Sequence, residues 1–345
     1  MVAYSISRRY PVFKQNSRFA VPSCFVEAAG PLAARNELAF DDSTVMKTLE
    51  MSDAIRAQAP NDVENLTGRL GLLYRAKRYS EVPRTFDALV RADSTRATLA
   101  NYRVALAATV RDNDAASRLR LLTTAARRFP STGSITGDYE IQRQIPRLRA
   151  LIDSTHQILR LAPQQTGGYA KLASIYGNLD NGDSALYYTR RALQAGVARN
   201  DVAPSLQSWI GVVMRKAQLL DAPDVWETTL AQARQIDETL PTDASKHLLA
   251  LAQVNMAASH VRVARTVPDP SVRYVPPRPA PSRAEVARNA AACRALSQVP
   301  SLLEQARTAM NQGGSRFSQA SVPAIQNMAS QVAREYADLS RRCPG

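Results

Sequence analysis

The side chains best suited to chemistry are few and scattered. His156, His247 and His260 are the only histidines, and none has a second histidine three or four positions away. No imidazole pair is therefore set on one helix face for metal binding or proton relay. Asp180 and Asp183 flank Asn181-Gly182. A calcium loop needs more oxygen ligands at alternating positions and a closing glutamate, so this stretch reads as a helix–turn–helix corner with Asp183 as N-cap. The chain has no GxxxxGK[ST] phosphate loop, GxGxxG, HExxH or CxxC. The expectation is a protein that is not an enzyme and holds no cofactor or metal.

Cysteine and arginine offer more. Cys293 and Cys343 both fall in the C-terminal part, one late in a helical stretch and one just after the last. In an up-down-up arrangement of three helices those ends lie together, and a disulfide would staple the part in an oxidising compartment. Two free thiols in a reducing cytoplasm are the other alternative, and the sequence leaves both open. Cys24 is unpaired on either view. The formal net charge is +14, and six of the 44 cationic residues are lysine, the rest arginine. The excess is +7 over residues 61–150 and +5 over 266–345. Such a field attracts an anionic partner. Residues Asn65-Leu66-Thr67 also fit a glycosylation sequon, a short pattern that recurs by chance.

The elements that must position these groups are helices. Glycine is sparse, alanine, leucine and arginine are frequent, and no segment alternates apolar and polar residues long enough for a sheet. No run approaches the ~18 apolar residues of a membrane span. Tyr169, Leu172, Ala173, Tyr176, Ala185, Thr189 and Ala192 describe two amphipathic helices joined by a tight turn, with small residues where the helices cross. Leu70-Gly71 and Tyr74, followed by Val82, Phe86 and Leu89, repeat the pattern earlier. Residues 95–130 follow it loosely, with Asn113-Asp114 as the turn. Residues 131–163 keep only the apolar period of Leu148, Leu151, Ile152 and Ile158. Residues 202–240 carry Ile210, Gly211 and Met214, a turn at Asp221-Ala222-Pro223, then Trp226, Leu230 and Ala233. Pro60, Pro130 and Pro163 punctuate helix ends.

This pattern resembles the tetratricopeptide repeat (TPR) over roughly residues 44–241. The resemblance implies an all-α, TPR-like α-solenoid of helical hairpins. One hairpin cannot bury its apolar face alone, so the stack presents a surface to a partner. The first helix of each hairpin lines a concave groove, which places Asn65, Arg75, Arg103, Arg111, Asn178, Arg215 and Lys216 there. Several are basic, and arginine pairs carboxylates in a bidentate way, so an acidic peptide or protein surface is the expected partner.

The expected domains are an irregular segment at 1–40, a TPR-like repeat domain at 41–265, a proline-rich linker at 266–282, and a helical hairpin or three-helix unit at 283–345. Helices near 44–58 and 243–265 serve as leading half-repeat and trailing cap. Ser7-Arg8-Arg9 followed by Phe19-Ala20-Val21 resembles a twin-arginine export signal, with a short apolar part broken by Pro22 and charged at Glu27. Pro276 and Pro279 give a PxxP spacing within a stiff linker. The functional expectation is a protein–protein interaction scaffold or assembly subunit of a bacterial cell-envelope complex, with the periplasm or envelope favoured over the cytoplasm. The alternatives are a nucleic-acid-associated basic repeat protein and a peripheral protein on an anionic membrane surface. Against the first alternative, the groove lacks an aromatic row for base stacking.

Overall fold

The computed structural model describes residues 25–31, 42–265, 267–268, 283–313 and 322–343. The export-like motif, Cys24 and the PxxP spacing lie outside them, as does nearly all of the expected linker. Among the described residues all regular structure is helical and no strand occurs. No helix among them is long and apolar enough to cross a membrane. The chain divides into two compact units, residues 1–139 and 140–345.

Unit 1 holds α1 (residues 25–31), α2 (Asp42–Gln58), α3 (Val63–Arg75), α4 (Glu81–Ala92), α5 (Leu99–Arg111) and α6 (Ala115–Arg128). From α2 onward each helix packs on the next, and α3 also touches α5. The helical periodicity buries Leu66, Leu70 and Leu73 on α3 and Val82, Phe86 and Leu89 on α4, and the two helices pack on each other. Phe86, Tyr102 and Phe129 then meet edge to face, with centroids 4.6 and 5.7 Å apart along the row, an arrangement that suits the aromatic quadrupole.

The turns are built alike in both units. Lys77, Asn113 and Asp180 adopt left-handed backbone conformations, with φ near +55 to +60°. In each case the next amide N–H donates to a carbonyl five residues back: Arg78 to Leu73, Asp114 to Thr109, Asn181 to Tyr176. Gly196 repeats the geometry, with Val197 donating to Ala192. This is the Schellman stop, which satisfies carbonyls that a helix end would leave bare. Asp114 and Asn181 then cap the following helices by accepting from Ser117 N and Ser184 N. The cap at the second of these corners is therefore Asn181; Asp183 sits inside the first turn, where its charge favours the helix N-terminus.

Residues 131–163 form no hairpin. One helix, α7 (Gly133–Leu161), runs through them with Pro146 inside it. Among the described residues between Asn113 and Asp180 none has positive φ, so nothing supplies the stop that a hairpin needs. Proline removes one backbone donor and bends a helix without supplying a left-handed residue.

In unit 2, α8 (Gly167–Asn178), α9 (Gly182–Gln194), α10 (Arg199–Leu220), α11 (Pro223–Thr239) and α12 (Asp243–Ala264) continue the neighbour-on-neighbour packing, and α8 also touches α10. The small residues of the motif, Ala173, Ala185, Thr189 and Ala192, are all fully buried. Trp209 fills the space beside Gly177 and Gly182: a Cβ on Gly182 would lie 2.1 Å from the indole. Glycine is required there because the indole occupies the place of any side chain.

The last three helices, α13 (Arg283–Leu296), α14 (Val299–Gln312) and α15 (Val322–Ser340), all pack on α12. Leu296, Val299, Leu302, Val332 and Leu339 share one apolar cluster with Trp209, Val213 and Leu248. The C-terminal helices thus belong to the same core as α9–α12. Cys293 and Cys343 form a disulfide with Cα atoms 5.4 Å apart.

Candidate partner-binding surface

The residues placed on a groove by the repeat resemblance meet different environments. In unit 1, Asn65 is fully buried. Its Nδ2 donates to the Ser52 carbonyl at 3.2 Å, tying α3 to α2. It does not present itself to a partner, nor to glycosylation. Arg75 and Arg111 are half-buried at the C-terminal ends of α3 and α5, and Arg103 is exposed on α5. In unit 2, Asn178 is half-buried and donates back to the Ser174 carbonyl at 3.0 Å. Lys216 pairs with Asp180 at 2.6 Å, so its ammonium holds the α8–α9 corner to α10. Arg215 is half-buried beside Gly211.

Much of the cationic surplus of unit 1 is already matched. Arg118 chelates Asp138 with both bonds under 2.9 Å, Arg120 reaches Asp87 at 2.6 Å, and Arg78 grips Glu81. Arg69 is the extreme case. It is almost completely buried between α2 and α4, with Asp53 at 2.7 Å and the Ser52 hydroxyl at 3.0 Å. Burial pulls its guanidinium below the ordinary arginine value, and Asp53 opposes the shift. This cation is structural. A sequence count of charge cannot separate it from surface arginines such as Arg103.

Two features escape the sequence pattern. The first is α1. A Cβ on Gly68 would lie 1.9 Å from the Val26 carbonyl oxygen, one on Gly71 would lie 1.9 Å from the Gly30 carbonyl oxygen, and one on Gly30 would lie 2.0 Å from the Gly68 carbonyl oxygen. The two helices therefore touch backbone to backbone. Val26 and Ala29 are buried, and Glu27 reaches Arg96 at 3.3 Å. Burial pushes the Glu27 carboxyl above its ordinary value; Arg96 opposes, while Glu64 and Asp62 add to the rise. Gly68 and Gly71, three apart on one helix, were the available signal.

The second is a tyrosine cluster in unit 2. Tyr176 and Tyr188 stack with centroids 5.4 Å apart and planes 3° from parallel. Tyr187 meets Tyr188 edge-on at 5.0 Å, and His156 approaches the Tyr188 hydroxyl at 3.4 Å. One face of Tyr188 is thus taken by Tyr176, which leaves Tyr187 as the exposed ring of the set.

Among the described residues no group of three or more His, Cys, Asp or Glu side chains could hold a metal ion. Asp221 shows how perturbed carboxylates are used here. Burial would raise it, but hydrogen bonds from Arg262 and from the Trp226 indole outweigh burial and hold it below the ordinary value. It fixes the end of α10. Comparisons with protein-family models, curated proteins and solved structures return no match.

Proposed function

We propose that this chain is a non-enzymatic interaction scaffold or assembly subunit that holds an acidic peptide or protein surface against the first helices of its TPR-like hairpins. The observation that supports it most is the placement of Arg75, Arg103 and Arg111 on α3 and α5, the two helices that precede matching Schellman turns and touch each other across the repeat. Three guanidiniums on such a scaffold suit bidentate carboxylate recognition, which favours specificity and rapid encounter. The Cys293–Cys343 disulfide fits an oxidising compartment and therefore an envelope assembly.

The test is a tagged pull-down from native extract, divided into soluble and envelope fractions, with and without nuclease. The Arg75→Glu/Arg103→Glu/Arg111→Glu chain runs beside the wild type. One or two stoichiometric proteins, insensitive to nuclease and lost in the variant, are the expected result. Recovery of mostly nucleic acid would replace the reading with the nucleic-acid one, and binding only to anionic vesicles with the membrane-surface one.

A further inference from the structure

Between α12 and α14 lies a cleft of about 410 Å³, a size that admits a small organic group. Leu249 and Gln253, four apart on α12, line one side. Ser301, Glu304, Gln305, Thr308 and Ala309, at helical spacing on α14, line the other, and Gln312 ends the row. A chain of hydrogen bonds that starts on α11 orients the polar groups. A guanidinium only donates, so Arg234, 3.3 Å from Gln305 Oε1, fixes that oxygen as an acceptor. Gln305 Nε2 then donates to Ser301 Oγ at 3.0 Å, and Gln253 Nε2 donates to the same Oε1 at 3.4 Å. Exchanging O and N on Gln253 would set two oxygens against each other. Gln253 is 3 % exposed, and its Oε1 has no hydrogen-bond partner. A buried acceptor without a donor carries its desolvation cost uncompensated.

We propose that this cleft binds a primary ammonium on an aliphatic stem, as carried by a free diamine or a lysine side chain. The unspent polar groups of the lining are mainly lone pairs. Gln253 Oε1 lacks a donor. Its amide is held by one bond of 3.4 Å, long for a hydrogen bond, and can turn Oε1 into the cleft to meet a donor. Thr308 Oγ1 gives its proton to the Glu304 carbonyl at 3.1 Å and keeps its lone pairs. The Glu304 carboxylate pairs with Arg307 at 3.1 Å, and both side chains are largely exposed. Such a surface pair is weak, so a ligand cation takes the place of Arg307 readily. An ammonium brings three donors and a positive charge to these acceptors. Leu249 and Ala309 offer apolar surface to the methylenes of its stem. An anionic ligand would leave Gln253 Oε1 bare and meet Glu304 at like charge. The site lies within unit 2, selects the opposite charge to the arginines of unit 1, and does not rest on the groove reading.

The test titrates the full, isotope-labelled chain with cadaverine, with Nα-acetyl-lysine methylamide and with pentanol, and follows the side-chain amide NMR signals of Gln253 and Gln305. Saturable shifts with at least one ammonium, at a Kd of about 1 mM or tighter, are the expected result, with none from the alcohol. Binding of cadaverine alone would identify a free amine as the source. Binding of the lysine derivative would identify a peptide side chain. Glu304→Gln changes an exposed residue and is expected to weaken binding about tenfold. Gln253→Met removes the orphaned acceptor at similar volume and is expected to abolish binding, read on the Gln305 signal. Its thermal midpoint should not fall, because no buried lone pair is left bare. No saturable shift with either ammonium means that the cleft takes water only, and overturns the proposal. So does equal binding of pentanol, or an unchanged Kd in both variants.

Discussion

The two ends of the described helices are covered in opposite ways. On α3, the described part of the cover, residues 25–31, meets the helix through close backbone contacts at glycines, with Val26 and Ala29 buried and Glu27 paired with Arg96. On α12, the cover is three helices that share a core with Trp209 and are stapled by a disulfide. A helix packed on one side only has an apolar face left to cover. The α12 cover is large and covalently fixed, as a permanent cap is. The α3 cover is set by shape, backbone against backbone at Gly30, Gly68 and Gly71.

Opening the staple should produce the largest effect. The Cys293→Ser/Cys343→Ser chain is expected to lose about 2–4 kcal/mol in unit 2, the usual effect of a long-loop disulfide. Denaturant unfolding with helical content as readout measures it. The helices should remain folded at low denaturant, because Leu296, Leu302 and Val332 still bury their side chains. Global loss of α13–α15 without the bond would show that the staple, not the core, is the cap.

A smaller effect is expected from Gly68→Ala. The added methyl meets the Val26 carbonyl and must eject α1. Alanine also favours α3 itself by about 1 kcal/mol over glycine. The net change in unit 1 stability should therefore be within about 1 kcal/mol, while amide exchange of residues 25–31 becomes unprotected. Protection of α4 and α5 should not change. If they lose protection too, the contrast between the two covers collapses.

The smallest effect is in pH, and its sign differs between the two. Glu27 has its carboxyl raised above 4.5 by burial, so its contribution to seating α1 is complete below 4.5 and is lost as pH rises through the folded value. Arg96 faces it and resists the loss; Glu64 and Asp62 add to it. His247 and His260, both on α12, are lowered from 6.5 by burial, with Gln298 and Glu227 opposing at His260. Their contribution is complete above 6.5 and is lost as pH falls through that value towards the folded one. Acidification should loosen α12 and tighten α1, read as opposite changes in amide protection after correction for intrinsic exchange.

What the sequence made legible was what local physics decides. The corners at Asn113-Asp114 and Asp180-Asn181 follow from residues that tolerate the left-handed region or cap a helix, and the structure has Schellman stops at both. Lys77 adopts the same conformation without being a turn-favouring residue, so only its neighbours, Leu-Gly-x-x-Tyr before and Val-x-x-x-Phe after, announced it. The apolar period in 131–163 was visible, but a period cannot say whether one helix or two carries it. There the absence of a stop decided, and Pro146 stayed inside α7. The seat of α1 was illegible for another reason. Gly71 read as part of the Leu-Gly-x-x-Tyr pattern, and its contact with Gly30 exists only once distant backbones meet. Likewise Asn65 and Arg69 are polar residues on a helix that looked half-solvated, yet Ser52 and Asp53 of α2 bury both.

The bond between Cys293 and Cys343 closes a ring of chain around α14 and α15, with the two cysteines 50 positions apart. A protease that cuts once anywhere inside that ring releases no fragment: both pieces stay covalently attached, and the band on a non-reducing gel does not move. Only a reductant lets the severed tail leave, so nicking and detachment become two separately controlled events.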